Sequence, residues 1–285
     1  MGVMAITKMG VIGAGQMGGG IAQVAAAAGL DVVLQDITQE RAESGTKNIE
    51  KGLEKLVAKG KIPADEAQTI ASRIRATGKL EELAGVDIVV EAATENVDLK
   101  LEVFRKLDAI LREDAILASN TSSISITRLG GVTKRPAKVI GMHFMNPVPV
   151  MKLVEVIRGL ATSDDTYAAT TALATRFGKE VVTSKDAPGF VVNRILMPLL
   201  NEAAFVLQEG LASAKDIDTA MVLGTNQPMG PLALADFIGL DTTLAILEVL
   251  HREIGDPKFR PCPLLRKHVE AGWLGKKTGR GFHQY

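Results

Sequence analysis

Among the side chains of this 285-residue sequence, His143 and Glu155 are the pair best suited to moving a proton. The chain has four histidines, His143, His251, His268 and His283. Histidine titrates near neutrality, which suits it to accept a proton from a hydroxyl. His143 stands out by position, directly after the strand-like run Lys138 to Met142, at the carboxyl end where open α/β sheets place their ligands. Twelve residues further on, Glu155 interrupts the apolar run Leu153 to Ile157. A lone carboxylate is costly to bury, so one inside such a run is expected to be paired or functional. Paired with His143, it would fix the tautomer of the ring and stabilise the imidazolium formed when the proton is taken. The residues alone leave an ordinary alternative open, with His143 a satisfied core histidine and Glu155 a surface residue on an edge strand.

A second group of residues points to a bound nucleotide. Gly13, Gly15 and Gly18 fall in a G-x-G-x-x-G turn that follows a strand-like run and opens the helical run Ile21 to Ala28, which ends at Gly29. Gly13 permits the tight turn, Gly15 lets backbone amides approach a pyrophosphate, and Gly18 allows the helix to touch the strand. The amino end of the helix then faces the anion. A glycine turn alone is weak evidence, but Asp36 ends the next strand 23 residues after Gly13, where a carboxylate can hydrogen-bond ribose hydroxyls. A 2′-phosphate there would be repelled, so NAD is favoured over NADP. Asp36 by itself could equally be a turn-forming residue before Thr38.

These residues need a scaffold. Short apolar or β-branched runs alternate with helical patterns from Lys8 to about Ser184, the form of parallel strands joined by crossover helices. Strands are expected at Lys8 to Gly13, Asp31 to Asp36, Val86 to Glu91, Ala115 to Ser119, Lys138 to Met142, Lys152 to Ile157 and Glu180 to Thr183. Val97, Leu101, Phe104 and Ile110 share one face of a helix that packs on the sheet. After Lys185 apolar residues recur at helical spacing through Ile195, Leu199, Val206, Met221, Leu244 and Leu247. Asp186 with Pro188 reads as a helix-start signal at the border. The expected fold class is therefore α/β: a Rossmann-type dinucleotide-binding domain over residues 1–185 and an all-helical domain over 186–285.

Composition sets limits. Lysine plus arginine and aspartate plus glutamate both number 33, so no net field draws the whole molecule to nucleic acid or an anionic membrane. A single cysteine, Cys262, excludes an intrachain disulfide and a multi-thiolate zinc site, and no metal is expected. No apolar stretch is long enough to span a bilayer, and a cytoplasmic protein is expected. In the helical run Thr38 to Lys59, Lys47, Lys51, Lys55 and Lys59 recur every fourth residue, along one helix face. On an arbitrary helix such a stripe is a solvated face.

Taken with the glycine turn, the stretches Asn120–Ser123, His143–Pro147, Pro188–Arg194, Asp216–Met221, Pro228–Pro231 and Lys277–Phe282 make the chain resemble the L-3-hydroxyacyl-CoA dehydrogenases of short-chain, 3-hydroxybutyryl-CoA type over nearly its whole length. The resemblance implies His143 as general acid/base and Glu155 as its orienting partner, with Ser122 and Asn193 on the C3 oxygen of an acyl-CoA substrate. It implies an NAD site formed by the turn residues Gly13, Gly15, Gln16, Met17 and Gly18 with Asp36, Glu95, Lys100, Asn120, Ser122, Asn146 and Lys277. It also implies a homodimer built largely on the second domain, substrate between the domains, and Lys55 and Lys59 meeting the phosphates of coenzyme A. For Ser122 and Lys100 the sequence itself suggests only a loop or helix cap and a solvated helix lysine. Asn193 sits among Val191, Val192, Ile195 and Leu196, with Pro198 freeing the carbonyl of Arg194, so a buried amide needing partners is expected there. Three rivals remain: a dehydrogenase of a free hydroxy acid, which would carry an arginine clamp; a non-catalytic NAD-binding protein, which has no need of a paired base; and a piece of a multifunctional fatty-acid oxidation enzyme. A stand-alone chain is expected from its start before the first strand and its end at Gln284 and Tyr285.

Overall fold

The computed structural model describes residues 5–285, which fall into two compact units, one ending at Ala187 and one running from Pro188 to Tyr285. The first is built on an eight-stranded sheet: β1 (Lys8–Ile12), β2 (Asp31–Gln35), β3 (Ile74–Thr77), β4 (Ile88–Glu91), β5 (Ile116–Ser119), β6 (Val139–Phe144), β7 (Leu153–Arg158) and β8 (Glu180–Lys185). Their spatial order is β3-β2-β1-β4-β5-β6-β7-β8. From β1 the chain runs outward to β2 and β3 and then returns to the other side for β4, so the sheet has its switch point beside β1. Strands β4, β5 and β6 are buried at every residue, as expected of a sheet covered by helices on both faces.

Three features depart from the sequence expectation. Strand β3 and helix α3 (Ala64–Ser72) lie within the long segment after β2, because Ile74–Thr77 is short and half polar and carries no clear strand signal. The sheet is not wholly parallel, since β7 runs antiparallel to β6. Only eight residues join these two strands, too few for a crossover helix but enough for a loop that reverses the chain. Asp186, expected to cap the first helix of the second unit, instead caps α5 (Ile126–Gly130): its carboxylate accepts from the Ser125 hydroxyl at 2.7 Å and from the Ile126 and Thr127 amides at 3.0 and 2.7 Å.

The helices nearest the site are α1 (Gln16–Ala27), α2 (Gln39–Ala58) and α4 (Val97–Ile110). Thr38 caps α2 and Asn96 caps α4 through their side-chain oxygens. The buried stripe of α4 is Lys100, Leu101, Phe104 and Leu107, shifted from the expected one so that a lysine lies inside it.

The last helix of the first unit is α6 (Asp164–Arg176), and the second unit consists of α7 (Val192–Gln208), α8 (Ala214–Thr225), α9 (Pro231–Ile238), α10 (Leu240–Ile254) and α11 (Pro263–Glu270) around Leu200, Leu232, Leu240, Leu247 and Phe259. Its only β pairing is two isolated bridges in the closing segment, through Arg280. Ile195, expected on the inner face of α7, is 65% exposed. The inner face carries Asn193, Met197, Leu200, Asn201 and Ala204, and Asn201 exchanges bonds with the Cys262 amide and the Arg260 carbonyl. Two asparagines on the inward stripe hide it from a reading that counts apolar residues alone.

Candidate active site

Strands β6 and β7 place His143 directly opposite Glu155, and opposed residues on antiparallel strands send their side chains to the same face. Nδ1 of His143 lies 2.8 Å from Oε2 of Glu155. Glu155 has no exposure and His143 only 7%. Both belong to the interior, and β7 is covered on its outer side by β8, so Glu155 is not on an edge strand. A buried carboxylate facing Nδ1 makes that nitrogen the donor, which leaves the basic lone pair on Nε2. His143 lies one residue inside the end of β6, which runs two residues further than the sequence suggested.

The glycine turn has the geometry of a phosphate cradle. Gly13 has φ +92° and its amide donates to the Gln35 carbonyl, joining the ends of β1 and β2. A Cβ on Gly18 would stand 1.7 Å from the Gly13 carbonyl oxygen, so no larger residue fits. A Cβ on Gly15 would meet nothing within 4 Å: this glycine borders open space, which a ligand's phosphates can enter. Gly15 begins α1 with no side-chain cap and no acidic residue follows in the first turn, so its amides face outward with their partial positive charge. Asp36 accepts the Ala14 amide at 2.7 Å through Oδ2 and the Ile37 amide at 2.7 Å through Oδ1, which holds the carboxylate at the rim of the turn. The residues present fit a dinucleotide.

Ser122, Asn120, Glu95 and Lys100 are brought together at the carboxyl ends of β4 and β5. Oε1 of Glu95 accepts from the Thr121 hydroxyl at 2.5 Å, the Ser122 amide at 2.9 Å and the Ser123 amide at 3.1 Å. Burial pushes the Glu95 carboxyl up, but the Lys100 ammonium and these donors outweigh it and hold the group below the usual carboxylate range. Lys100 is not a solvated lysine: it is 1% exposed, with Nζ 2.6 Å from Oε1 of Glu91 and 3.4 Å from Oε2 of Glu95. Oδ1 of Asn120 accepts the Phe144 amide at 2.8 Å and so ties the end of β5 to the residue after His143. Asn146 is exposed in the loop joining β6 and β7.

Two supporting residues escaped the sequence reading. Glu91 has no exposure and accepts from Lys100, from the Ala93 amide at 2.7 Å and from the Ser119 hydroxyl at 2.7 Å. Its signal was available, a carboxylate closing the apolar run Ile88–Val90. Lys179 reaches the carbonyls of Val148 and Met151 at 2.5 and 2.8 Å and so braces the β6–β7 loop, with burial pushing its ammonium down.

The remaining candidate residues belong to the end of α2 and to the second unit. Lys55 and Lys59 are exposed at the end of α2 and, like Lys47 and Lys51, join no ion pair among the described residues. In the second unit Asn193 is the second residue of α7 and 9% exposed. Lys277 is held there by both oxygens of Asp241 at 2.6 and 2.7 Å. No helix is long and apolar enough to cross a membrane among the described residues.

Comparison with known proteins matches both units. Residues 8–187 match the 3-hydroxyacyl-CoA dehydrogenase NAD binding domain and residues 189–285 the 3-hydroxyacyl-CoA dehydrogenase C-terminal domain. The chain is 56% identical to a 3-hydroxybutyryl-CoA dehydrogenase of Bradyrhizobium diazoefficiens, covering 98% of this chain and 96% of that one. It is 57% identical to a probable 3-hydroxybutyryl-CoA dehydrogenase of Bacillus subtilis, covering 99% and 98%. The crystal structure of (S)-3-hydroxybutyryl-CoA dehydrogenase from Ralstonia eutropha superposes with a TM-score of 0.96 at 53% identity, over 99% of both chains. With an NAD-binding domain and a C-terminal domain matched in order across its length, the chain belongs to the 3-hydroxyacyl-CoA dehydrogenase family.

Proposed function

We propose that the protein interconverts (S)-3-hydroxyacyl-CoA, 3-hydroxybutyryl-CoA foremost, with the 3-ketoacyl-CoA, using NAD. The observation that carries this reading is the buried His143–Glu155 pair, 2.8 Å apart, on the sheet that also carries the glycine cradle. NAD, when bound, supplies the hydride acceptor at its nicotinamide ring. The chain's own residues manage the proton: Nε2 of His143 takes it from the C3 hydroxyl as the C3 hydrogen leaves as hydride, and Glu155 stabilises the resulting imidazolium. In the reverse direction the same proton returns to the C3 oxygen.

Ser122 is the residue in the first unit proposed to hold that oxygen; its amide and, at 3.3 Å, its hydroxyl donate to Oε1 of Glu95, which fixes the loop that carries it. Asn193 is its proposed counterpart from the second unit, which serves substrate binding and dimer formation. Exposed Leu211, Leu223, Ile195 and Phe237 in that unit support the homodimer. Asp36, Asn146 and Lys277 are proposed for the cofactor, and Lys55 and Lys59 for the phosphates of coenzyme A. The single cysteine, buried in the second unit, is in keeping with a cytoplasmic protein.

The deciding assay follows NADH consumption with acetoacetyl-CoA against free acetoacetate, repeated with NADPH. Turnover of the thioester with NADH is expected. Preference for the free acid would instead support the hydroxy-acid rival, and absence of turnover on either would support a non-catalytic protein.

A further inference from the structure

A chain of buried polar groups runs beneath the Ser122 loop. Glu91 closes β4 and Ser119 closes β5, and the two residues are register partners. Glu91 gives one oxygen to the Ser119 hydroxyl and the other to Lys100, at 2.7 and 2.6 Å. An ammonium has three protons, and three oxygens surround that of Lys100: Glu91 Oε1, the Ala93 carbonyl at 3.1 Å and Glu95 Oε2 at 3.4 Å. Two carboxylates thus share one cation, and the cluster carries one negative charge in excess. That excess is carried to Glu95, whose side chain keeps 37% exposure while Glu91 and Lys100 are sealed.

The location gives this charge a consequence. Hydride transfer requires the nicotinamide ring beside the proton acceptor, and Asn120 ties the strand end bearing the Ser122 loop to the strand of His143. The ring changes charge in the reaction, cationic when oxidised and neutral when reduced. A fixed negative charge nearby binds the cationic form more tightly and leaves the neutral one nearly unaffected.

We propose that Glu91 is a positioning residue which, through Lys100, leaves the charge of Glu95 uncompensated at the nicotinamide end of the site, so that the protein holds NAD+ more tightly, relative to NADH, than a neutral cluster would. This rests on the cofactor reading above. Had Glu91 been neutral, Lys100 would compensate Glu95 alone and the excess would vanish.

The test is equilibrium binding rather than turnover: NADH by its fluorescence, NAD+ by competition against it, with the intact protein. Glu91→Gln keeps the shape and can still accept from Lys100 and donate to Ser119. Were the ring about 6–10 Å from the charge, Coulomb's law at an effective dielectric of about 40 would give a change of about four- to tenfold in the affinity ratio. The Kd for NAD+ should therefore rise by that factor relative to the Kd for NADH. Ser119→Ala removes a bond to Glu91 without changing charge, and the ratio should stay within twofold of wild type even if both affinities fall. Glu95→Gln cancels the same charge at the exposed end and should move the ratio as Glu91→Gln does; it decides the matter if Glu91→Gln does not fold. A ratio unchanged in a folded Glu91→Gln variant, or in Glu95→Gln where Glu91→Gln does not fold, or moved equally by Ser119→Ala, overturns the proposal. Failure of the wild type to bind either cofactor would instead overturn the cofactor reading.

Discussion

Replacing Glu155 by glutamine isolates the charge of the carboxylate from its shape. The side chain is fully buried and its contact to Nδ1 of His143 is 2.8 Å, so the substitution acts where solvent screens little. An imidazolium and a carboxylate with charge centres about 4 Å apart attract by about 4 kcal/mol at an effective dielectric of 20. In the oxidative direction the ring is neutral in the ground state and roughly half charged in the transition state, so about 2 kcal/mol of that attraction is specific to the transition state. Its loss corresponds to about 30-fold in kcat. An amide that turns its NH2 toward Nδ1 would impose the opposite tautomer and make the loss larger. The assay is oxidation of 3-hydroxybutyryl-CoA at saturating NAD+, with NADH binding measured by fluorescence as a control that should not move. His143→Ala should cost about 10²–10⁴ in kcat. The double variant should be no slower than His143→Ala within about twofold, because without the imidazolium the carboxylate has nothing to stabilise. A Glu155→Gln enzyme within threefold of wild type, or losses that add in the double variant, would refute the pairing as a catalytic device.

Three further outcomes are expected. Asp36→Ala should narrow the preference for NADH over NADPH in kcat/KM by about tenfold, since one charge-assisted bond and one repulsion are removed together; a wild type that prefers NADPH would show the position misread. Lys55→Ala with Lys59→Ala should raise KM for acetoacetyl-CoA with kcat nearly unchanged and leave a pantetheine thioester unaffected, because these point charges act equally on ground and transition states; equal losses on both substrates would remove the lysines from the coenzyme A site. Asp87→Asn should cost about 1–3 kcal/mol in chemical denaturation at pH 7. Burial pushes the Asp87 carboxyl up, but the Thr7 and Lys8 amides and Arg112 outweigh it and lower its pKa from 3.8, so the contribution is present above that value and lost as pH falls through the lower folded one. The gap between wild type and variant should close in that acid window, and a gap independent of pH would refute the role of the charge.

Local rules made part of this protein legible in its sequence. The glycine turn announces itself because φ above zero and close backbone approach exclude other residues, and the structure shows the first at Gly13 and the second at Gly13 and Gly18. Fully buried strands β4 to β6 read as apolar runs because both their faces are covered. His143 and Glu155 could be singled out as a buried-charge problem that each solves for the other. Their register could not: the short connection Met145–Lys152, with Asn146-Pro147 in it, allows the chain to reverse, but it does not fix which residues of β6 and β7 come to stand opposite each other. Lys100 and Glu91 were hidden for a related reason: a lysine on a helix is exposed unless a partner waits beneath it, and that partner lies on a different strand, placed there by the packing of α4 on the sheet. Asp186 caps a helix some 60 residues earlier in the chain rather than the one that follows it. In short, the sequence determines what is paid locally in backbone conformation and side-chain burial, while the pairing of charges across strands and helices was decided by tertiary packing alone, because a carboxylate carries no mark of which distant donor will reach it.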